Sequence, residues 1–280
     1  MSRTDPQRSV TLVGFPLDLT PCYRRGVKLG PDKIRWAGEA IEDYSLLLGR
    51  DVREVPVTDR GNLDLPPGDL QASLKLIEER ATEILAVGTP LVALGGEHLV
   101  TLPLLRAAHQ RYPDLVVLHL DAHADLADAF VGQRHTHGTV MRRATEFLGR
   151  QRIVQVGIRS ADREEAEYAR EWVHQFPGGP GNANQVRGLL EGRPVYVTLD
   201  LDLLDPAHAP GVSTPEPGGW TVRELLDFLA VLRGLDVVAM DLVELCPPYD
   251  PGDVTAIVAA KLLRDSLLLF FSERPARPLP

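Results

Sequence analysis

Residues 116–125 have the sequence VVLHLDAHAD, in which an apolar, β-branched run ends in a cluster of ionisable groups. A second run, VYVTL at 195–199, ends in the same way, at Asp200-Leu201-Asp202. Apolar runs of this length are typical of strands buried on both faces of a parallel sheet. Alternate residues of an extended chain point to the same side, so the acidic groups of each cluster can converge. The two stretches therefore predict buried strands that carry carboxylates to their ends.

Strand-like runs alternate with longer amphipathic segments along the chain, a pattern typical of β-α-β units around a mainly parallel sheet. Strands are predicted at Val10–Phe15, Asp51–Val57, Pro90–Leu94, Leu115–Leu120, Ile153–Ile158, Trp172–Phe176, Val195–Leu199 and Val237–Leu242. Helices are predicted at Leu70–Val87, Leu102–Arg111, Ala161–Glu171, Val222–Leu232 and Ala256–Leu269. Pro- and Gly-rich stretches at 177–181 and 210–219 leave the pattern intact, so they are interpreted as loops. The sequence predicts one α/β domain over residues 1–280, with about eight strands.

The composition of the 280 residues is that of a globular domain, with 44% hydrophobic and 25% charged residues. No apolar run approaches the ~18 residues of a membrane span, and the first residues lack the features of a secretory signal. A cytoplasmic location is expected, where Cys22 and Cys246 would remain unpaired thiols. The net charge is −9, and no Lys/Arg stripe interleaves with aromatic residues. Neither a membrane nor a nucleic acid is therefore an expected partner.

Four of the predicted strands lead into polar side chains. Ligand sites of open α/β sheets form beyond the carboxyl ends of strands, so we expect these side chains to lie together. They are His98, Asp121, His123, Asp125, Asp200, Asp202 and Glu244. Close carboxylates repel one another unless a cation lies between them. Carboxylates with a minority of imidazoles suit Mn²⁺ better than a closed zinc site, and a set of this size suits two ions that share bridging carboxylates. The sequence predicts a dinuclear manganese site.

Three motifs in this set resemble the metal-binding signatures of the ureohydrolases, the arginase and agmatinase family. They are GGEH at 95–98, DAHAD at 121–125 and DLDLLDP at 200–206. Other blocks similar to the family are GPDKIR at 30–35, GIRS at 157–160, STPEPGG at 213–219 and DLVE at 241–244. The resemblance covers almost the whole chain. It implies a three-layer α/β/α fold with a mainly parallel sheet, and a homo-oligomer, usually a trimer or hexamer.

The resemblance also implies a role for each residue of the site, with two Mn²⁺ per subunit. One manganese would be held by His98, Asp121, Asp125 and Asp200, and the other by His123, Asp121, Asp200 and Asp202. Glu244 would accept hydrogen bonds from a substrate guanidinium. His137, in HTHGT at 135–139, would transfer a proton to the leaving amine. The implied catalytic residues are His137, Glu244 and Asp125, and His137 and Glu244 would also bind the substrate.

The implied reaction converts a guanidino group to urea and a primary amine. Arginine is disfavoured as substrate, because residues 126–134 (LADAFVGQR) lack the Asn/Ser pair with which arginase-like proteins bind the amino-acid part. The blocks TLPLLR at 101–106, VMRR at 140–143 and PPYD at 247–250 are similar to agmatinases. A small cationic guanidino substrate is therefore predicted: agmatine, giving putrescine, or aminopropylagmatine, giving spermidine. Either reaction belongs to polyamine biosynthesis.

Three departures from the agmatinase pattern leave the substrate tail open. Ser213 stands where glycine is common, Cys246 stands where a small or amide residue is common, and residues 18–23 lack the usual glycine after the aspartate. Guanidinobutyrate is an alternative substrate, but its carboxylate would need a basic partner, for which Arg134 and Arg24 are the candidates. Arginine is another. A catalytically silent ureohydrolase-fold protein and a dinuclear phosphoesterase are further alternatives, disfavoured by the complete ligand set and by the Glu244 carboxylate, respectively.

Overall fold

Strands and helices alternate through residues 9–272, the part of the chain that the computed structural model describes. The two ends of the predicted domain, 1–8 and 273–280, lie outside the described residues. The strands are β1 (Val10–Phe15), β2 (Tyr44–Ser45), β3 (Arg50–Asp51), β4 (Val57–Asn62), β5 (Leu91–Gly95), β6 (Val116–Leu120), β7 (Ile153–Val156), β8 (His174–Phe176), β9 (Val195–Asp200) and β10 (Val237–Val243). The α-helices are α1 (Gly30–Gly38), α2 (Leu70–Ala86), α3 (Thr101–Arg111), α4 (Val140–Leu148), α5 (Arg163–Trp172), α6 (Ala183–Leu190), α7 (Val222–Val231) and α8 (Val254–Phe270).

The main sheet contains eight strands in the order β4-β1-β5-β10-β9-β6-β7-β8. Every pair of neighbours in it is parallel. β2 and β3 form a separate antiparallel pair. Strands β5 and β6 follow one another along the chain but are separated in the sheet by β10 and β9, so both halves of the chain supply the central strands. The predicted α/β fold with a parallel sheet of about eight strands is confirmed.

Alternate residues of the central strands face two different helix layers. On β5, Val92 and Leu94 belong to one apolar cluster, whereas Leu91 and Ala93 belong to the other. The first cluster includes residues of α1, α6, α7 and α8, and the second includes residues of α2, α3, α4 and α5. Full burial of a Val or Leu side chain contributes about 1.5–3 kcal/mol to the stability of the fold. The strands are therefore apolar on both faces because helices cover both faces, and the three α/β/α layers are confirmed.

One predicted strand is wrong, and several helices differ from their predicted bounds. Instead of a strand over Asp51–Val57, the chain turns at Asp51, whose carboxylate accepts a hydrogen bond from the Arg53 amide at 2.9 Å. Residues 52–54 form a 3₁₀ turn, and the edge strand of the sheet is β4, farther along the chain. Helices α1, α4 and α6 were not among the predicted helices, although α1 begins at the GPDKIR block. No described helix is both long and apolar enough to cross a membrane.

Candidate metal centre and active site

The four central strands of the sheet end at one place. β5 leads into the turn that carries His98, β6 into the segment 121–125, β9 into Asp200 and Asp202, and β10 into Glu244. Neighbouring parallel strands end at the same edge of a sheet, and this is where ligands bind in open α/β folds. The structure brings all seven predicted side chains together around a cavity of about 290 Å³, and His137 also lines it.

The turn after β5 owes its shape to glycine. A Cβ atom on Gly96 would lie only 2.0 Å from the carbonyl oxygen of Leu17, in the segment that follows β1. The Gly96 amide donates to the carbonyl oxygen of Phe15 at 2.9 Å, and the Glu97 amide donates to that of Leu17 at 2.9 Å. This close backbone approach fixes the position of the next residue, His98, at the edge of the sheet.

The first group of candidate ligands surrounds Nδ1 of His98. This atom lies 3.0 Å from Oδ2 of Asp121, 3.1 Å from Oδ2 of Asp125 and 3.3 Å from Oδ2 of Asp200. It makes no hydrogen bond to any described residue, although it is buried. The other ring nitrogen, Nε2, lies 2.9 Å from the hydroxyl of Thr198. Buried polar atoms normally have a partner, so a ring nitrogen that faces three carboxylates without one fits a cation ligand.

The second group surrounds Nδ1 of His123, which lies 2.9 Å from Oδ2 of Asp202 and 3.6 Å from Oδ1 of Asp121. Asp121 therefore presents one oxygen to each group and lies between them. Asp200 presents Oδ2 to the first group, whereas its Oδ1 accepts a hydrogen bond from the Asp202 amide at 2.8 Å. The geometry brings the predicted ligands together, and the bridging role implied for Asp200 stays a prediction.

Two carboxylates of this cluster have pKa values that reflect repulsion from their neighbours. Burial, followed by the charges of Asp202 and Asp121, holds the pKa of Asp200 well above its ordinary value. Burial and the charge of Asp121 also raise the pKa of Asp202. Divalent cations between the carboxylates would remove this repulsion. Carboxylate oxygens with two imidazoles form a donor set that fits Mn²⁺.

Glu244 is held by the chain that surrounds the cluster. Its Oε1 accepts a hydrogen bond from the His98 amide at 2.5 Å, and its Oε2 accepts one from the hydroxyl of Ser213. The residue has a φ of 69°, in the left-handed region that is uncommon for residues other than glycine. Burial raises the pKa of Glu244 to about 8. A guanidinium beside this carboxylate would favour its charged form.

His137 contacts the loop that follows β1. Its Nδ1 lies 3.5 Å from the hydroxyl of Thr20, and its amide donates to the same hydroxyl at 3.2 Å. Thr20 in turn donates to the buried carboxylate of Glu97, which also accepts from the Leu19 amide at 2.6 Å. The ring packs edge-on against Phe130, with 5.5 Å between centroids. One loop thus links His137 to the turn that carries His98.

The two arginines considered as partners for a substrate carboxylate do not line the cavity. Arg134 lies on the surface, 2.9 Å from Glu146 and 3.4 Å from Asp128. Arg24 donates to the carbonyl oxygens of Pro210 and Val212, both at 3.1 Å.

Other functional candidates were missed from the sequence. Asp162 and Glu165 line the cavity and form a capping box at the start of α5. Their D-x-x-E spacing after the GIRS block is the signal that could have identified them. His119, inside β6, lies within the first ligand group. A polar residue in an otherwise apolar buried run is the signal that could have identified it.

The arginase family model matches residues 8–269 of the chain. The chain therefore belongs to the arginase family of ureohydrolases. The agmatinase of Bacillus anthracis is 42% identical over 267 residues, which cover 94% of this chain and 92% of that protein. The guanidinopropionase of Pseudomonas aeruginosa is 38% identical over 291 residues, which cover 98% of this chain and 90% of that protein. This ureohydrolase is thus more similar to the agmatinase.

The solved structure of proclavaminate amidino hydrolase from Streptomyces clavuligerus has the same fold as this ureohydrolase. The two superpose with a TM-score of 0.87 at 31% identity, over 96% of this chain and 95% of the other. Family membership over nearly the whole length makes this ureohydrolase an enzyme of the hydrolase class.

Proposed function

We propose that this ureohydrolase is a dimanganese enzyme that hydrolyses agmatine to urea and putrescine, or aminopropylagmatine to urea and spermidine. The observation that carries the substrate class is the charge of the cavity wall. Among the described residues that line the cavity there is no Lys or Arg, whereas Asp162 and Glu165 add two carboxylates to those of the ligand cluster. Such a wall attracts a cationic tail and repels the carboxylate of a guanidino acid.

The two ligand groups would hold two Mn²⁺ ions. His98, Asp121, Asp125 and Asp200 would hold one ion, and His123, Asp121, Asp200 and Asp202 would hold the other. When bound, two such ions lower the pKa of water, so that hydroxide is available near neutral pH. The orphaned Nδ1 of His98 and the repulsion between buried carboxylates support this assignment.

Glu244 would orient the guanidinium. The Ser213 hydroxyl and the His98 amide hold its carboxylate in place, and each oxygen keeps a lone pair for a substrate N–H. Two parallel N–H to oxygen contacts match the planar guanidinium and fix the angle at which its carbon is presented. A carboxylate in this position supports a guanidino substrate and disfavours a phosphoester.

His137 would supply the proton that the leaving amine requires. Its Nδ1 faces Thr20, which leaves Nε2 as the ring nitrogen available to the cavity. Addition of water to the guanidinium carbon, followed by cleavage of the C–N bond and proton transfer to the departing nitrogen, yields urea and a primary amine. An imidazole suits this transfer because its ordinary pKa is close to neutral pH.

A guanidino acid is the second candidate substrate, because a guanidinopropionase is among the relatives. The structure disfavours it, since Arg134 and Arg24 are engaged elsewhere and neither lines the cavity. The cavity volume of about 290 Å³ suits a small linear molecule of either kind.

A substrate panel tests the proposal. Urea release should be measured with Mn²⁺ and agmatine, aminopropylagmatine, guanidinobutyrate or arginine. We expect the highest kcat/KM for one of the two compounds with a cationic tail. A preference for guanidinobutyrate would contradict the tail assignment, and silence on all four would contradict the proposed reaction.

The variant Asp162→Asn isolates the charge of the cavity wall. The Asp162 carboxylate caps α5 by accepting from the Glu165 amide at 2.8 Å, and asparagine caps a helix equally well. The variant should keep its stability while KM for agmatine rises by up to about fivefold, as expected for loss of a partly exposed ion pair. Asp114→Asn, an equal charge change at an exposed site outside the cavity, is the matched control. An unchanged KM for Asp162→Asn would show that this carboxylate does not contribute to binding of the substrate tail.

The family resemblance further supports a trimeric or hexameric assembly and a cytoplasmic location. Both remain proposals. Light scattering of the purified protein would measure the mass of the assembly, and a monomeric mass would contradict the first of them.

A further inference from the structure

A histidine outside the predicted ligand set lies beside the first group of candidate ligands. His119 on β6 is fully buried, and its Nε2 lies 2.8 Å from Oδ2 of Asp121. The centroid of its ring is 5.1 Å from that of His98. Two roles are compatible with this position. His119 could bind an ion through a lone pair on Nε2, or it could donate an Nε2–H hydrogen bond to Asp121. The roles differ in which ring nitrogen carries the proton.

Gln155 on β7 distinguishes between the two roles. Its side-chain nitrogen donates to the carbonyl oxygen of Ala124 at 2.6 Å and lies 3.0 Å from Nδ1 of His119. The carbonyl oxygen can only accept, so the amide atom that faces it must be the nitrogen. The other amide atom, Oε1, accepts from Gln175 at 3.0 Å, which is consistent with this orientation. Nδ1 of His119 therefore accepts a hydrogen bond, and the proton of the neutral ring is on Nε2.

We infer that His119 is a positioning residue that donates its Nε2–H to Asp121 and does not itself bind an ion. Asp121 is the carboxylate that lies between the two groups, with Oδ2 toward His98 and Oδ1 toward His123. A donor fixed on Oδ2 sets the plane of this carboxylate, so that each oxygen keeps its direction. The Gln155 amide also holds the backbone between His123 and Asp125, so the same side chain orients several candidate ligands.

This inference deepens the proposed function and rests on its metal assignment. Hydrogen-bond partners of metal ligands typically contribute about 10–100-fold to metal affinity. The consequence should therefore be measured as metal binding and not only as turnover. The probe is Mn²⁺ itself, added to the full-length protein after treatment with EDTA, with bound and free ion separated and counted.

His119→Leu removes the donor, whereas His119→Gln keeps an N–H at the same position along the side chain. We expect His119→Leu to bind Mn²⁺ about 10–100-fold more weakly than the wild type. His119→Gln should recover most of the affinity and bind as many ions as the wild type. Unchanged affinity in His119→Leu would overturn the inference. Loss of an ion in His119→Gln would also overturn it, because that is the result expected for a direct ligand.

Two further variants keep the test decisive. Gln155→Leu leaves His119 in place but removes the donor to its Nδ1, so it should also weaken Mn²⁺ binding. It replaces His119→Leu as the test if that variant does not fold. Unchanged Mn²⁺ binding in Gln155→Leu would overturn the inference. His109→Leu, on α3 beside Phe147, is the matched control and should bind Mn²⁺ as the wild type does. Equal weakening in this control would mean that the effect is unspecific and would likewise overturn the inference. A wild-type protein that binds no Mn²⁺ would instead contradict the proposed function.

Discussion

Asp202 is the carboxylate closest to Nδ1 of His123, and its Oδ1 also accepts a hydrogen bond from the Ala122 amide at 3.1 Å. In the proposed site it belongs to one ion only. We therefore predict that Asp202→Ala binds one Mn²⁺ per subunit in place of two and loses most of its turnover. Metal analysis of the dialysed protein together with urea release would measure both effects.

Asp205, in the same motif, provides the control for Asp202. It accepts hydrogen bonds from the backbone amides of Ala207, Gly218 and Gly219 and lies outside the two ligand groups. Asp205→Asn should keep both ions. Two ions still bound in Asp202→Ala would show that the ligand assignment is incorrect.

His137 is expected to affect proton transfer without affecting the metals. His137→Ala should keep both Mn²⁺ ions and lose about 10²–10⁴-fold in kcat, the usual contribution of a general acid. Added imidazole should restore part of the rate, because the cavity left by the side chain opens beside Thr20 and Phe130. An unchanged kcat would show that His137 lines the cavity but does not transfer the proton.

The two cysteines should differ sharply in reactivity. Cys22 is exposed at the cavity, whereas Cys246 is buried and burial raises its pKa to about 12. Because its pKa is raised, the Cys246 thiol stays protonated at pH 8. The thiolate is the reactive form of cysteine, so Cys246 should react slowly. Iodoacetamide at pH 8 should therefore modify Cys22 in the folded protein and reach Cys246 only after unfolding, as mass spectrometry would show. Equal labelling of both cysteines in the folded protein would contradict their assigned environments.

The strands and helices that were predicted best are those in which burial and periodicity coincide. β6 and β9 are buried throughout because helices cover both faces of the sheet, and α2 follows a clear helical period. β4 gives no such signal, because it is an edge strand whose side chains are mostly exposed. The predicted strand over Asp51–Val57 failed because side-chain hydrogen bonds at Asp51 turn the chain, a local effect that hydrophobic patterns do not reveal.

The candidate site was also predictable only in part. The ligand motifs follow strands and could be found by their spacing, whereas the contacts that support them come from distant segments. Thr20 reaches His137 across 117 positions of sequence, and Thr198 reaches His98 across 100. No local pattern indicates which hydroxyl will face which imidazole. The role inferred for His119 likewise depends on Gln155, on the neighbouring strand, and on the direction of one amide group.

The turn after β5 depends on glycine for its close contact with the segment after β1. Gly96→Ala would place a Cβ against the backbone of Leu17, so β5 and the segment after β1 would have to separate. We expect a loss of about 1–3 kcal/mol in the free energy of unfolding and weaker Mn²⁺ binding, because His98 moves with the turn. Gly38→Ala at the end of α1 is the control, since a Cβ there meets no atom within 4 Å. Chemical denaturation of both variants would measure the difference, and equal stabilities would contradict the close approach.

In the proposed mechanism, different parts of the fold would hold the nucleophile and contact the substrate tail. The ends of four central strands carry the candidate ligands and Glu244, where the sheet fixes their positions. The cavity residues Asp162 and Glu165 lie at the start of α5, and Phe130 lies in the segment before α4. Loops tolerate substitution better than buried strand ends. This architecture therefore permits one metal chemistry with different substrate tails. The departures at 18–23 and Ser213 lie in loops, and the Ser213 hydroxyl also contacts Glu244.

The metals should also stabilise the whole fold. Buried carboxylates that repel one another disfavour the folded state, and cations that bind only the folded state oppose this repulsion. At a free Mn²⁺ concentration 100 times its dissociation constant, one site contributes about 2.7 kcal/mol, which raises the Tm of a 280-residue domain by roughly 5 °C. Removal of metal with EDTA should lower Tm, and added Mn²⁺ should restore it in a concentration-dependent way. Asp202→Ala should show a smaller Mn²⁺-dependent rise than the wild type, because one of its two sites is lost. A Tm that does not respond to EDTA or Mn²⁺ would mean that no ion joins these carboxylates, and calorimetry over a series of Mn²⁺ concentrations distinguishes the two outcomes.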